Sequence, residues 1–228
     1  MTISILILKY AMCYCAFFAM LLLSKPNGGY KLFDKNGPAQ NTGALFGSQI
    51  AGIVWLGLVP VFTFDQSWID IVFGIEIPDF FPVVIIILLL IAVSLFARIQ
   101  SENRFGEIVS NQKTVKIFSR DFILRYILLR LLFLCAYEIF LRGYLLTDSI
   151  HYLGITKAVL LNIALYTLLH LPADKKEIIA CIPFGALLCL VCIWFQVVWP
   201  AILLHVSLSL VYEINLLKKF HRSINAVL

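Results

Sequence analysis

Residues 83–97 read VVIIILLLIAVSLFA, a stretch that is apolar on every side. A helix at the surface of a soluble protein would carry polar residues on one face, so this stretch predicts a helix that crosses a lipid bilayer. The whole 228-residue chain has the same character, because 61% of its residues are hydrophobic, 14% are charged and the mean hydropathy is +0.95. Soluble domains contain about 45–50% apolar and about 25% charged residues. The composition therefore predicts a polytopic membrane protein.

Seven segments are candidates for membrane helices, which need about 20 apolar residues each. They lie at about 2–24, 45–63, 80–97, 125–147, 156–171, 178–194 and 197–217. The fifth and sixth are short and could tilt little, be covered by each other, or be partly re-entrant. The first is not typical of a signal peptide, because it lacks a basic start, contains Lys9 and has no cleavage site of small residues. We expect an all-α, polytopic transmembrane bundle of about seven helices.

Loop charges predict the orientation of this bundle. If seven helices alternate, most of the basic residues fall on one side: Lys25, Lys31, Lys35, Arg98, Arg104, Lys113, Lys116, Arg120, Arg125, Lys175, Lys176, Lys218, Lys219 and Arg222. The other side carries Asp65, Asp70, Glu76 and Asp79 in its second loop. The positive-inside rule then places the N-terminus outside and the C-terminus in the cytoplasm. The net charge of +5 is explained by these loops, which favour anionic lipid over nucleic acid as the partner.

A polar stretch at 98–125 divides the chain. We expect residues 1–124 to form an N-terminal three-helix membrane region with a basic cytoplasmic loop, and residues 125–228 to form a four-helix core with a short basic tail. The six cysteines all fall inside predicted helices: Cys13, Cys15, Cys135, Cys181, Cys189 and Cys192. They are interpreted as small buried packing residues.

Four ionisable residues interrupt the apolar runs of the second region: Glu138, Arg142, His170 and His205. A charged side chain at mid-membrane costs roughly 2.5–3.5 kcal/mol on insertion scales, so such residues persist where they pair or carry function. Glu138 and Arg142 are four residues apart and share a helix face. Either Glu138 only neutralises the arginine and the histidines are helix contacts, or the four form a buried polar site. Helix rise puts Glu138 and His205 about 12–14 Å below the outer helix ends, and His170 about 20 Å below.

The strings around these residues are YEIFLRG at 137–143, YTLLH at 166–170 and HVSLS at 205–209. In this order on successive helices they resemble the CPBP family, the CAAX prenyl endopeptidases and Abi-type glutamic intramembrane proteases. Members carry EExxxR with FRG at its end, then FxxxH, then HxxxN or HxxxD. IPFG at 182–185 and VWPAILLH at 198–205 resemble further parts of the pattern. The resemblance covers about residues 125–217.

The resemblance implies a four-helix catalytic-type core that hydrolyses a peptide bond in a membrane-associated, prenylated or other peptide substrate, in a bacterial cytoplasmic membrane and without a cofactor. The residues that match catalytic motif positions are Glu138, Arg142, His170 and His205. Tyr137 stands where the family has its first glutamate, to which water activation is assigned, and Ser209 replaces the Asn or Asp of the third motif. Together with Tyr166, these two residues are expected to support the substrate or the oxyanion.

The departure at Tyr137 leaves the activity open. A tyrosine with an ordinary pKa of about 10 is a poor base at neutral pH, so His170, oriented by Glu138, becomes the best remaining base, and His205 would stabilise the oxyanion. A degenerate family member that serves as a membrane binding partner or scaffold fits the same departures. A zinc site of His170, His205 and Glu138 is a further alternative, although HExxH is absent. The expected partners are the lipid bilayer and a peptide or membrane protein.

Overall fold

The computed structural model describes residues 3–25, 31–34, 37–74, 80–110 and 118–225. Within these ranges the α-helices are α1 (Ile3–Ser24), α2 (Thr42–Gly52), α3 (Val59–Thr63), α4 (Trp68–Phe73), α5 (Phe80–Ser110), α6 (Arg120–Glu138), α7 (Leu146–Leu153), α8 (Ile155–Leu169), α9 (Lys175–Phe195) and α10 (Trp199–Asn225). Two π-helical segments join neighbours: π1 (Ile53–Leu58) and π2 (Ile139–Leu145). Strands β1 (Phe33–Asp34) and β2 (Gly37–Pro38) pair antiparallel in the first loop.

The predicted helical bundle is confirmed. Five helical passages among the described residues are long and apolar enough to cross a membrane: Ile3–Ser24, Thr42–Thr63, Pro82–Ser110, Lys175–Phe195 and Trp199–Ser223. The predicted fourth segment is the continuous passage of α6, π2 and α7, and the fifth is the shorter apolar helix α8. The protein is therefore an all-α integral membrane protein. Of the charges that predicted its orientation, Lys35, Glu76, Asp79, Lys113 and Lys116 lie outside the described residues.

Apolar side chains both fill the bundle and cover its outside. Inside, Phe17 of α1, Leu56 of π1 and Phe140 of π2 pack in one buried cluster. Outside, Leu23 and Phe62 are exposed, at 69% and 82% of their surface. Large apolar side chains that face outward on helices of this length are what a bilayer solvates, since lipid tails provide the apolar surroundings that water cannot.

Helices from both halves of the chain share this interior. α5 packs along α10, while α2 and π1 pack on α6. Another buried cluster joins Leu32 and Phe33 of the first loop to Phe220 of α10. The division at residue 124 stays a prediction. These contacts hold α6 against α2 and π1, and α10 against α5.

The six cysteines are free, and four of them are buried, as predicted: Cys13, Cys181, Cys189 and Cys192. Cys135 is half-buried. The prediction of burial is wrong for Cys15, which is exposed because α1 lies at the edge of the bundle and presents one face outward.

Candidate active site

Glu138 lies at the end of α6, where the helix widens into π2, and its side chain is fully buried. Its Oε1 is 2.5 Å from His205 Nδ1 on α10. Its Oε2 is 3.2 Å from an Nη atom of Arg142, one turn further along. The predicted pair between Glu138 and Arg142 is therefore present, and the same carboxylate also holds a histidine from another helix.

The π-helical turn after Glu138 has a visible cause. The carbonyl of Leu141 accepts the N–H of Leu146, five residues on, and also the amide of Asn162 on α8, at 2.5 Å. Cys189 of α9 in turn donates its thiol to Asn162 Oδ1, at 3.3 Å. A side chain that enters the backbone ladder is a common origin of a π bulge. Sequence reasoning missed Asn162, although an amide in an apolar helix signals a buried hydrogen bond.

Two motif glycines allow close helix packing at this place. A Cβ at Gly143 would lie 2.5 Å from Ile71 Cγ2, so α4 rests directly on π2. A Cβ at Gly185 would lie 3.0 Å from the ring of Tyr166 and 3.7 Å from Arg142 Nη2. The glycines of the FRG and IPFG strings thus let α4 and α9 close over the site.

Arg142 is 1% exposed, and its guanidinium stacks 4.4 Å above the centre of the Tyr166 ring. This cation–π contact stabilises a desolvated arginine. Within the described part of the chain, Arg142 Nε and Nη2 have no hydrogen-bond partner. The Tyr166 ring also lies beside those of His170 and His205, with centres 4.7 Å and 6.1 Å away. The role predicted for Tyr166 toward a substrate stays a prediction.

His170 directly follows α8 and caps its C-terminal end. Its Nδ1 lies 3.0 Å from the carbonyl oxygen of Tyr166. A carbonyl can only accept, so Nδ1 carries the proton and Nε2 is an acceptor. The sequence predicts that Glu138 orients His170, but the hydrogen bonds and ion pairs of Glu138 among the described residues are with His205 and Arg142. His170 lies one turn beyond Tyr166, toward the end of its helix, and therefore at a different depth in the membrane from Glu138.

Tyr137 and Ser209 lie in different surroundings. The Tyr137 ring centre is 5.7 Å from that of His205, and its hydroxyl has no hydrogen-bond partner among the described residues. Ser209 accepts a hydrogen bond from Arg130 Nε at 3.0 Å. Arg130 is also 3.6 Å from Glu213 Oε1. Ser209 thus belongs to a second polar cluster, whose acidic member, Glu213, sequence reasoning missed because it lies outside the three motif strings.

A cavity of about 80 Å³ joins the two histidines. Its walls come from the first loop, α1, α2, α6, the α8–α9 connection, α9 and α10: Phe17, Leu21, Lys31, Ser48, Gln49, Arg130, Phe133, Leu134, Tyr137, Leu169, His170, Ala173, Glu177 and His205. A water molecule takes about 30 Å³ in the liquid, so the cavity has room for two or three waters. Glu138 lies behind His205 and reaches this space only through the imidazole ring.

A larger groove of about 530 Å³ lies between α1, α7 and α8 and is almost wholly apolar. Its polar feature is the hydrogen bond from the Tyr10 hydroxyl to Asp148, at 2.6 Å. The motif residues with ionisable side chains do not line it.

The zinc alternative gains no support from the described residues, among which no group of three or more His, Cys, Asp and Glu side chains is placed to hold a metal ion. His205 Nδ1 is already bonded to Glu138, and His170 Nδ1 to a backbone carbonyl.

Fold and site together define a helical membrane protein with a buried Glu–Arg–His centre. Residues 119–211 match the family model of the Rce1-like proteins, described as type II CAAX prenyl endopeptidase Rce1-like. The match runs from the start of α6 into α10 and confirms the resemblance to the CPBP family over this region. Comparison with curated proteins and with solved structures gave no match.

Proposed function

We propose that the protein is an intramembrane peptidase that hydrolyses a peptide bond in a membrane-associated or prenylated peptide substrate, with His205 as general base. The observation that carries this proposal is the 2.5 Å contact between Glu138 Oε1 and His205 Nδ1 beside a water-sized cavity. The family match supports the reaction class.

A carboxylate on Nδ1 determines what the rest of the imidazole can do. It fixes the tautomer with the proton on Nδ1. Nε2 is then the ring nitrogen that can accept a hydrogen bond from a water in the cavity. It also stabilises the imidazolium that forms when Nε2 takes a proton, as in carboxylate–histidine pairs of other hydrolases. His170 bonds a neutral carbonyl through its Nδ1, and the Glu177 carboxylate interacts with it without a direct ion pair in the described structure. We therefore assign the base to His205 rather than to His170.

The proposed reaction balances with one water. His205 Nε2 removes a proton from the cavity water as its oxygen attacks the substrate carbonyl carbon. The Tyr137 hydroxyl donates a hydrogen bond to the oxyanion that forms. His205 then gives the proton to the leaving nitrogen as the carbon–nitrogen bond breaks. Arg142 pairs with the Glu138 carboxylate at 3.2 Å and balances its charge.

The cavity is large enough for water but too small for a peptide. A substrate therefore has to displace side chains from the cavity wall. Phe17 and Leu21 of α1 close the cavity on one side. We expect α1 to yield when a substrate binds. Lys31 and Glu177, which lie in the first loop and at the start of α9, are on the side that loop charges assign to the cytoplasm. We infer that the site opens toward the cytoplasm, with the N-terminus outside.

A cleavage assay with the purified full-length protein in liposomes tests this function. Wild type is expected to cleave members of a peptide library that includes prenylated peptides. His170→Ala/His205→Ala is expected to lose about 10²–10⁴-fold in rate, the usual contribution of general acid–base catalysis. His151→Ala is the matched control, since His151 is exposed on α7 and does not line the cavity.

Cleavage by the double variant at the wild-type rate would contradict the proposal. The alternative is a degenerate family member that acts as a binding partner or scaffold, with Tyr137 in place of the family's first glutamate. That alternative requires wild type to cleave nothing and the double variant to keep full function in cells.

A further inference from the structure

We propose that Glu177 is a second carboxylate of the active site, in addition to Glu138, and positions the attacking water. This inference rests on the proposed function and adds to it a residue outside the three motifs. The chain has Tyr137 where the motif pattern has its first glutamate. Of the residues that the structure describes, Glu177 is the only acidic one in the cavity wall. The missing carboxylate thus has a replacement from another helix.

Local structure explains why Glu177 reaches this place. Asp174 caps the N-terminus of α9, and its Oδ1 accepts the N–H of Glu177 at 3.0 Å. Its other oxygen pairs with Arg104 of α5. Burial raises the pKa of the Asp174 carboxyl, but the Glu177 N–H and Arg104 outweigh it and hold that pKa below its usual range. The cap therefore stays ionised at neutral pH, and the first turn of α9 is fixed between two elements.

The charge of Glu177 is stabilised in the same way. Its side chain forms an ion pair with Lys31, which also lines the cavity. The first turn of a helix carries a partial positive charge that favours a carboxylate. An ion-paired carboxylate is a weak base but a good hydrogen-bond acceptor. Its chemistry is therefore that of a residue that orients water, while the proton goes to His205.

The size of the cavity links Glu177 to the reacting water. Two or three waters fill about 80 Å³, so groups on different walls are connected through very few molecules. His170 Nε2 and Glu177 both accept hydrogen bonds in this space. One O–H of the attacking water points to His205 Nε2, and the other is held by Glu177 through the water beside His170. No proton is transferred to Glu177, so the balance of the proposed reaction is unchanged.

The variant Glu177→Gln tests this role in full-length protein in liposomes, with a library peptide that wild type cleaves. We expect kcat to fall about 10-fold to 100-fold, at the lower end of what acid–base groups contribute, and KM to stay unchanged. Glu107→Gln is the matched control, because Glu107 also pairs with cations at this end of the bundle, Lys176 at 2.7 Å and Arg104 at 3.1 Å. It does not line the cavity, so its kcat should equal that of wild type.

A conservative variant separates positioning from a structural role. Glu177→Asp keeps a carboxylate in the cavity and should retain part of kcat. Wild-type kcat in Glu177→Gln overturns this inference alone. A loss that Glu177→Asp shares in full, or that Glu107→Gln shares, also overturns it and assigns Glu177 to the ion pair with Lys31. A wild type that cleaves no library peptide overturns the proposed function with it.

Discussion

Helices α6 and α10 carry two polar clusters, separated by about two turns of α6. The Glu138 cluster consists of Glu138, Arg142 and His205, with Tyr137 beside it. The Glu213 cluster consists of Tyr126, Arg130, Ser209 and Glu213. Each contains one glutamate, one arginine and one tyrosine, so the two have nearly the same composition. Their contacts differ, and the difference shows what each can do.

Hydroxyl groups take part in the hydrogen bonds of the Glu213 cluster, in which Glu213 Oε2 has no hydrogen-bond partner among the described residues. The Tyr126 hydroxyl donates to Glu213 Oε1 at 2.8 Å, and Arg130 donates to Ser209 at 3.0 Å. Neither hydroxyl changes charge near neutral pH, so this cluster joins α6 to α10 without moving protons. The Glu138 cluster has an imidazole in place of the serine and a tyrosine hydroxyl with no partner among the described residues. A histidine is the side chain that gains and loses a proton near neutral pH.

Removing the glutamate of each cluster should give the largest difference in stability between the two clusters. Glu138→Ala leaves Arg142 buried without a counter-charge, and removing one partner of a buried pair costs about 3–5 kcal/mol of unfolding free energy. Glu138→Ala/Arg142→Leu should recover much of the loss. Thermal unfolding in detergent measures both. Glu213→Ala should cost less, because the Arg130 side chain is 15% exposed and keeps Ser209, whereas Arg142 is fully buried. Unchanged melting of Glu138→Ala would show that the ion pair does not stabilise the fold.

The two tyrosines of α6 offer a matched pair of smaller changes. Tyr137→Phe should lower kcat about 10²–10³-fold, the usual effect of losing one oxyanion donor, without loss of stability, because the hydroxyl has no protein partner in the described structure. Tyr126→Phe should do the reverse. It removes a hydrogen bond to a charged group, which costs about 1.5–3 kcal/mol, and should leave kcat unchanged. Liposome cleavage and detergent melting of both variants check this, and equal effects on both would contradict it.

Sequence reasoning identified the Glu138 cluster because charge in an apolar helix is costly. Glu138, Arg142 and His205 stand out for that reason alone, and four-residue spacing predicts the first pair. The contact of Glu138 with His205 could not be predicted, since it depends on how two distant helices rotate against each other. Resemblance to the family indicates that both residues belong to one site, but it does not predict the hydrogen bond between them.

Residues near helix ends escaped prediction for the opposite reason. Glu177 follows two lysines at the start of a helix, and Lys31 lies in a loop, where charges are ordinary. Only packing shows that both line the cavity. The π-helical turn could not be predicted either. Its cause is the side-chain amide of Asn162, which lies on a different helix, 21 residues further along the chain.

Substitution of Ser209 should have the smallest effect of these variants. It also tests directly which of the two clusters Ser209 belongs to. Resemblance to the family predicts that it supports the oxyanion, whereas its contact with Arg130 places it in the Glu213 cluster. Ser209→Ala should lower the unfolding free energy by about 1.5–3 kcal/mol, because the arginine loses an acceptor. The rate of cleavage should stay near wild type, since no proton transfer or oxyanion contact depends on the hydroxyl. Ser207→Ala, on the same helix, is the control for both measurements. A fall in kcat as large as that of Tyr137→Phe, with stability unchanged, would move Ser209 into the Glu138 cluster and show that the serine takes the role of the family's Asn or Asp.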